Sequence, residues 1–230
     1  DENYCAEEVP LRNQSALCAG ANTMNSTAGK QVQGGNLYNK YTTGNPVARY
    51  LMNNFLTSAR SLINDIRGEV NSITEVGCGE GHLASFIAEM NIAPVRACDC
   101  SCEIIETAQT MNSHDAVTYY TKSIYDIGGP ERADLMVCCE VLEHLEEPER
   151  ALDILHETTN RYCLMSVPRE PVWRMLNMMR LKYLGDFGNT PGHIRHWSRP
   201  GFLRLVSSRF HIKQVKTPFP WTMVLCERKD

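Results

Sequence analysis

The chain lacks any run of about 18 consecutive apolar residues, so no transmembrane helix is expected. It also lacks a cationic balance. The 23 Lys and Arg residues face 27 Asp and Glu, for a formal net charge of −4. Without a basic field to hold a polyanion, nucleic acid is not expected as the main substrate. Asp1, Glu2 and Asn3 open the chain without the basic and apolar regions of a secretory signal, so the cytoplasm is the expected compartment. No internal repeat or low-complexity tract is present. There is no C-x-x-C pair and no paired His/Cys spacing of the zinc-site kind, so no metal is expected.

Cysteine itself is plentiful, with ten in 230 residues. Cys98, Cys100 and Cys102 alternate, and Cys138 and Cys139 are adjacent inside an apolar run. These read as small apolar fillers in a reducing compartment, not as a disulfide scaffold. A chain that is 43% hydrophobic and 22% charged can bury a sizeable core without covalent staples.

Residues 1–45 are polar and rich in Asn, Gly, Ser and Thr, and form an expected arm or cap. Residues 46–230 form the expected domain, as a monomer or homodimer. From Pro46, the residues Val47, Leu51, Phe55, Ala59, Leu62 and Ile66 recur at helical spacing, predicting a helix that ends near Gly68. Strand and helix signals then alternate. Strands are predicted at 72–76, 94–98, 117–120, 134–139 and 162–167, with helices between them. Two more strands, at 211–217 and 221–228, are joined by a tight connection. The pattern predicts an α/β doubly wound, Rossmann-like fold. Its seven-stranded sheet is mainly parallel and ends in an antiparallel hairpin.

The segment Glu75-Val76-Gly77-Cys78-Gly79-Glu80-Gly81 closes the first strand and opens a helix. Gly77 and Gly79 permit a tight turn and a close approach of backbone to ligand, and Gly81 leads into a helix terminus. Asp99 ends the second strand, where a carboxylate can accept both hydroxyls of a ribose. Together these predict a nucleoside cofactor. The glycine spacing is G-x-G-x-G, not the dinucleotide G-x-G-x-x-G. The acids Glu75 and Glu80 would repel a pyrophosphate and suit a ligand with an amino group, such as S-adenosylmethionine.

Residues 73–165 resemble the class I S-adenosylmethionine-dependent methyltransferases, in the group that includes ubiquinone-type O-methyltransferases. The glycine loop and Asp99 match that group's first motif and its ribose-binding acid. Glu140-Val141-Leu142-Glu143-His144-Leu145 resembles the group's signature after the fourth strand. The resemblance implies that Ser123 and Ile124 contact adenine, where the group often has Asp in place of Ser123. The expected cofactor-binding set is Glu75, Gly77, Cys78, Gly79, Gly81, Asp99, Cys100, Ser123, Ile124 and Glu140.

The function expected is methyl transfer from S-adenosylmethionine to a small-molecule acceptor, at oxygen before nitrogen or carbon, which also stay open. A nicotinamide-dependent oxidoreductase and a non-catalytic S-adenosylmethionine-binding protein are the alternatives. Arsenite methyltransferases share the fold, but the cysteines here do not suggest a convergent trio. Three histidines are candidate catalytic bases: His144 after the fourth strand, and His193 and His196 in a loop broken by Gly and Pro. Residues 172–184 read as a Met- and Leu-rich helix able to wall an apolar acceptor, with Trp173 or Trp197 beside it. Tyr38, Tyr41 and Asn45 are candidates to close over the cofactor.

Overall fold

A computed structural model describes residues 45–179, 189–190 and 192–230. The expected arm with Tyr38 and Tyr41, and the helix beyond Met179, lie outside the described residues. Asn45 is the N-cap of α1 (Pro46–Asn64): its Oδ1 accepts from Val47 N at 2.9 Å, and Pro46 occupies the first turn. The helix stops four residues short of Gly68, and a separate 3₁₀ turn follows at Arg67–Glu69.

The alternation then runs as β1 (Ile73–Val76), α2 (His82–Ala88), β2 (Val95–Asp99), α3 (Cys102–Met111) and β3 (Val117–Thr121). It continues as β4 (Ala133–Cys139), α4 (Pro148–Thr158), β5 (Thr159–Pro168) and α5 (Val172–Met179). The chain ends in α6 (Arg199–Ser207), β6 (Phe210–Lys216) and β7 (Trp221–Arg228). Strand ends differ from the sequence expectation by at most three residues, and the last strand, 221–228, matches at both ends. The largest difference is at β5, which begins directly at the end of α4. Helix α6 was not anticipated.

The seven strands form one sheet in the order β3-β2-β1-β4-β5-β7-β6. β1 to β5 are parallel, and β7 pairs antiparallel with both β5 and β6. The expected hairpin exists, but its second strand is inserted between β5 and the edge strand β6. Strand order reverses between β1 and β4, which opens a crevice at their carboxyl ends.

Successive side chains of each central strand serve opposite layers. Leu135, Val137 and Cys139 of β4 join α1, α2 and α3 in one core. Met136 and Cys138 join α4 and α6 in the other. No described helix is long and apolar enough to cross a membrane. Seven described cysteines are free thiols, most of them buried. The filler reading fails at Cys102, which is disulfide-bonded.

Candidate active site

The loop between β1 and α2 turns through three glycines at positive φ: Gly77 at 75°, Gly79 at 54° and Gly81 at 82°. Two of them are also closed to a side chain. A Cβ on Gly77 would run into the side chain of Val141, and one on Gly81 would lie 2.5 Å from the Tyr119 hydroxyl oxygen. The loop is pinned to β2. Gly77 N and Cys78 N both donate to Cys98 O, at 2.7 and 2.9 Å.

Gly79 N donates to Asp99 Oδ2 and Ser101 N donates to Asp99 Oδ1, each at 3.1 Å. Asp99 is therefore held facing the loop at the end of β2, with 8% exposure. Glu75, on β1 two residues before Gly77, is 3% exposed. Burial first, and then the neighbouring Asp99 charge, raise its carboxyl to about 8. The sequence reading treated Glu75 as a plain anion. In the ligand-free fold it is largely protonated at neutral pH.

Cys78 is buried in the loop, and burial pushes its thiol far above the usual range. Cys100, directly after Asp99, is exposed, and its thiol is raised by burial and then by Asp99. Ser123 Oγ accepts from Tyr125 N at 3.3 Å and so caps a short 3₁₀ turn, Ile124–Asp126, in which Ile124 is buried.

Glu140 follows β4 in a left-handed conformation, φ 61°, unusual for a residue with a Cβ. Its carboxylate accepts from Ser166 Oγ at 3.0 Å and from Trp221 Nε1 at 2.6 Å. β5 and β7 thus aim the first acid of the β4 signature. The sequence reading missed both partners, because nothing local marks a serine or tryptophan on a strand distant in sequence.

An aromatic wall continues from there. Trp221 packs on Trp173 of α5 with centroids 5.8 Å apart, and Trp173 stacks on His193 at 6.1 Å and 24°. His193 meets His144 edge-on at 4.8 Å. Two of the three candidate histidines therefore come together. His144 Nδ1–H donates to Gly192 O at 2.9 Å, so each histidine's surroundings fix the other's loop. His196 does not join them. Its Nδ1 lies 3.4 Å from Glu170 Oε1, in an ion-pair geometry. Trp197 also leaves the wall and packs against Phe202 of α6.

Glu143, absent from the expected set, stands with the pair. Its ligand oxygen and one ring nitrogen from each of His144 and His193 all lie within 4.8 Å of one another. The sequence shows Glu143 only as an acid between Leu142 and His144, and nothing local links it to His193.

Residues 48–209 match a family described as a methyltransferase domain. The ubiquinone biosynthesis O-methyltransferase of Schizosaccharomyces pombe is 33% identical over 114 residues, covering 46% of this chain and 41% of that protein. Its Candida albicans counterpart is 32% identical over 87 residues, covering 35% of this chain and 27% of that protein. The chain spans less than half the length of these curated relatives. Among solved structures, magnesium protoporphyrin IX methyltransferase from Synechocystis PCC 6803, with bound SAH, superposes with a TM-score of 0.61 at 20% identity, covering 83% of this chain and 91% of that one. The N-methyltransferase NodS from Bradyrhizobium japonicum WM9 gives 0.60 at 15% identity, covering 81% and 90%. At such identities the likeness is one of fold.

Proposed function

This chain belongs to the methyltransferase-domain family, and we propose that it transfers the methyl group of S-adenosylmethionine to a hydroxyl oxygen of a small molecule. The observation that carries the reading is Asp99, held by Gly79 N at 3.1 Å across from a loop of three left-handed glycines. That arrangement suits a ribose against the carboxylate and a backbone-hugging methionine end along the loop. Glu75, beneath the loop, suits the cofactor's amino group, and Ser123 and Ile124 suit the edge of an adenine. Oxygen as acceptor atom is supported by the two yeast relatives, whose names specify O-methyl transfer. A small acceptor agrees with the net charge of −4, which offers no general field for a polyanion.

The sulfonium supplies the reactivity. In the transfer, an oxygen lone pair of the acceptor forms the new O–CH₃ bond. The carbon–sulfur bond breaks with its electron pair going to sulfur, which leaves a thioether. The hydroxyl proton must depart as the bond forms. The protein's part is to align the two partners and assist that departure. His144 and His193 are the groups placed for it, and Trp173 and Trp221 supply an apolar wall. In this reading residues 1–45 act as an arm or cap on the domain at 46–230.

Calorimetry tests the cofactor half of the reading. The wild-type protein binds S-adenosylmethionine, and Asp99→Ala weakens binding at least about tenfold, as expected when a charged acceptor of roughly 1.5–3 kcal/mol is lost. Unchanged affinity would take Asp99 out of the site. Release of S-adenosylhomocysteine with a panel of phenols and catechols tests the acceptor half, and turnover confined to amine acceptors would overturn oxygen as the target.

A further inference from the structure

Glu170 stands between the end of β5 and the start of α5, and three segments meet at it. Its Oε2 accepts from Arg174 N in the first turn of α5 at 3.4 Å, a place where a helix favours negative charge. Its Oε1 faces His196 Nδ1 at 3.4 Å, and its backbone N donates to Trp197 O at 3.0 Å. The residue before it, Arg169, forms a β-bridge with Trp197, and Arg169 N donates to Pro220 O at 2.9 Å. α5, the histidine loop and the turn before β7 are therefore rooted at one place.

Those three segments carry the aromatic wall, with Trp173 on α5, His193 in the loop and Trp221 at the start of β7. Trp221 is fixed from β4 through Glu140. The placement of Trp173 and His193 against it depends on how α5 and the loop are tied to β5. We propose that Glu170 and His196 are positioning residues, a carboxylate–imidazolium pair that holds this wall in its acceptor-binding arrangement. What the wall receives rests on the proposed function. The pair itself is assigned no step of the chemistry.

The Glu170 side chain is 10% exposed and that of His196 32%. A carboxylate so far from water needs positive charge or donors around it. Oε1 accepts no hydrogen bond, and among the described residues His196 is the one ion-pairing group within 4 Å of this carboxylate. The loop's other ties do not depend on charge. Ile194 N and Arg195 N both donate to Glu143 O at 3.0 Å, and His144 Nδ1–H donates to Gly192 O whether or not that ring is charged. The remaining charged and titratable groups of the elements meeting here are Arg169 after β5, Arg174 on α5, and His193 and Arg195 in the loop. Arg199 on α6, and Glu143, His144 and Glu146 on the turn after β4, complete them. Arginine keeps its charge throughout, Arg195 Nη2 donates to Glu146 O at 2.6 Å, and the Arg169 guanidinium lies over the Phe219 ring. A histidine changes charge between about pH 5 and 8. A neutral His196 would leave the buried carboxylate without its counter-charge, and the clasp should loosen.

The test measures KM and kcat for methylation of catechol by the full chain at about pH 5.5 and 8, with saturating S-adenosylmethionine. In the wild type KM should rise about fivefold at the higher pH, the size of a partly exposed ion pair. His196→Lys keeps a cation at both values and should hold KM low. His196→Gln and Glu170→Gln each remove one charge and should hold KM high at both. At each pH the variants should keep kcat within about twofold of the wild type. Comparing proteins at one pH cancels the ionisation of catechol, of Glu75 and of the other histidines. Near-UV circular dichroism in a Trp197→Phe background, where Trp173 and Trp221 alone remain, reads the wall without an acceptor and should follow the same pattern. Equal calorimetric affinity for S-adenosylmethionine across the proteins reports an intact fold. A tryptophan spectrum that ignores His196, or a KM rise that survives in His196→Gln, overturns the proposal. A spectrum that follows His196 with no methylation of catechol or any phenol would leave the clasp standing and sink the proposed acceptor.

Discussion

Glu75 combines the cost and the use of a buried charge in one side chain. Burial and Asp99 raise its carboxyl to about 8, whereas in the unfolded chain a glutamate ionises near about 4.3. Between those two values the unfolded chain has released a proton that the folded chain keeps. The stability of the ligand-free protein should therefore fall as pH rises from about 4.3 toward 8, and level off above that. Glu75→Gln removes the titration. It should melt higher than the wild type at pH 8, equal it near pH 4, and bind S-adenosylmethionine more weakly, because the carboxylate is the form a cationic amino group favours. Thermal melts at the two pH values, with calorimetry for the cofactor, check this. Parallel melting of the two proteins across the range would show that Glu75 ionises normally in the fold. The position of this acid before the glycines was legible in the sequence, as was Asp99. Its protonation was not, since that depends on helices packed over β1 from distant parts of the chain. Glu143 went unrecognised for a related reason. Its partner His193 arrives from a loop beyond β5, and no spacing rule links the two.

Continuous apolar runs and glycine punctuation made the five parallel strands legible, because a strand covered on both faces needs no polar alternation. Helix α6 was not anticipated, because Pro200 and Gly201 interrupt any helical pattern at its start. Their actual role is to start the helix. Ser198 Oγ accepts from Gly201 N at 3.3 Å, Pro200 fits a first turn, and Phe202 and Val206 follow four residues apart on the buried face. Phe202 is fully buried in the core shared with α4, β4 and β7. Phe202→Ala should accordingly cost about 3–5 kcal/mol in denaturant unfolding. A loss under about 1 kcal/mol would mean that α6 is not part of the cooperative core. The insertion of β7 between β5 and β6 was equally hidden, since pairing partners are not written in the local pattern. It matters to the site, because β7 brings Trp221 to Glu140.

The sheet divides the molecule into two apolar layers, and the cysteines are distributed through both. Cys139 lies in the layer with α1, while Cys138, Cys163 and Cys226 lie in the layer with α4 and α6. Burial raises all four thiols, and it raises Cys98, which also lies in the α4 and α6 layer, to about 12. A thiol that is both inaccessible and protonated is a poor nucleophile, so these residues should be inert while the fold holds. Cys100 differs in access alone. It is the one exposed thiol among the described free cysteines, and it adjoins Asp99 at the proposed ribose position. Its own thiol is raised too, so it should react slowly near neutral pH and faster as pH rises. Iodoacetamide labelling followed by peptide mass spectrometry should therefore modify Cys100 ahead of Cys78, Cys98, Cys138, Cys139, Cys163 and Cys226. Denaturant should bring those six into reach together, as expected of two layers that share one sheet. S-adenosylhomocysteine should slow labelling at Cys100, because a ribose held by Asp99 would cover its neighbour. Early labelling of Cys138 or Cys163 in native protein would show that the layers open independently. Labelling of Cys100 that ignores the cofactor product would place the ribose elsewhere.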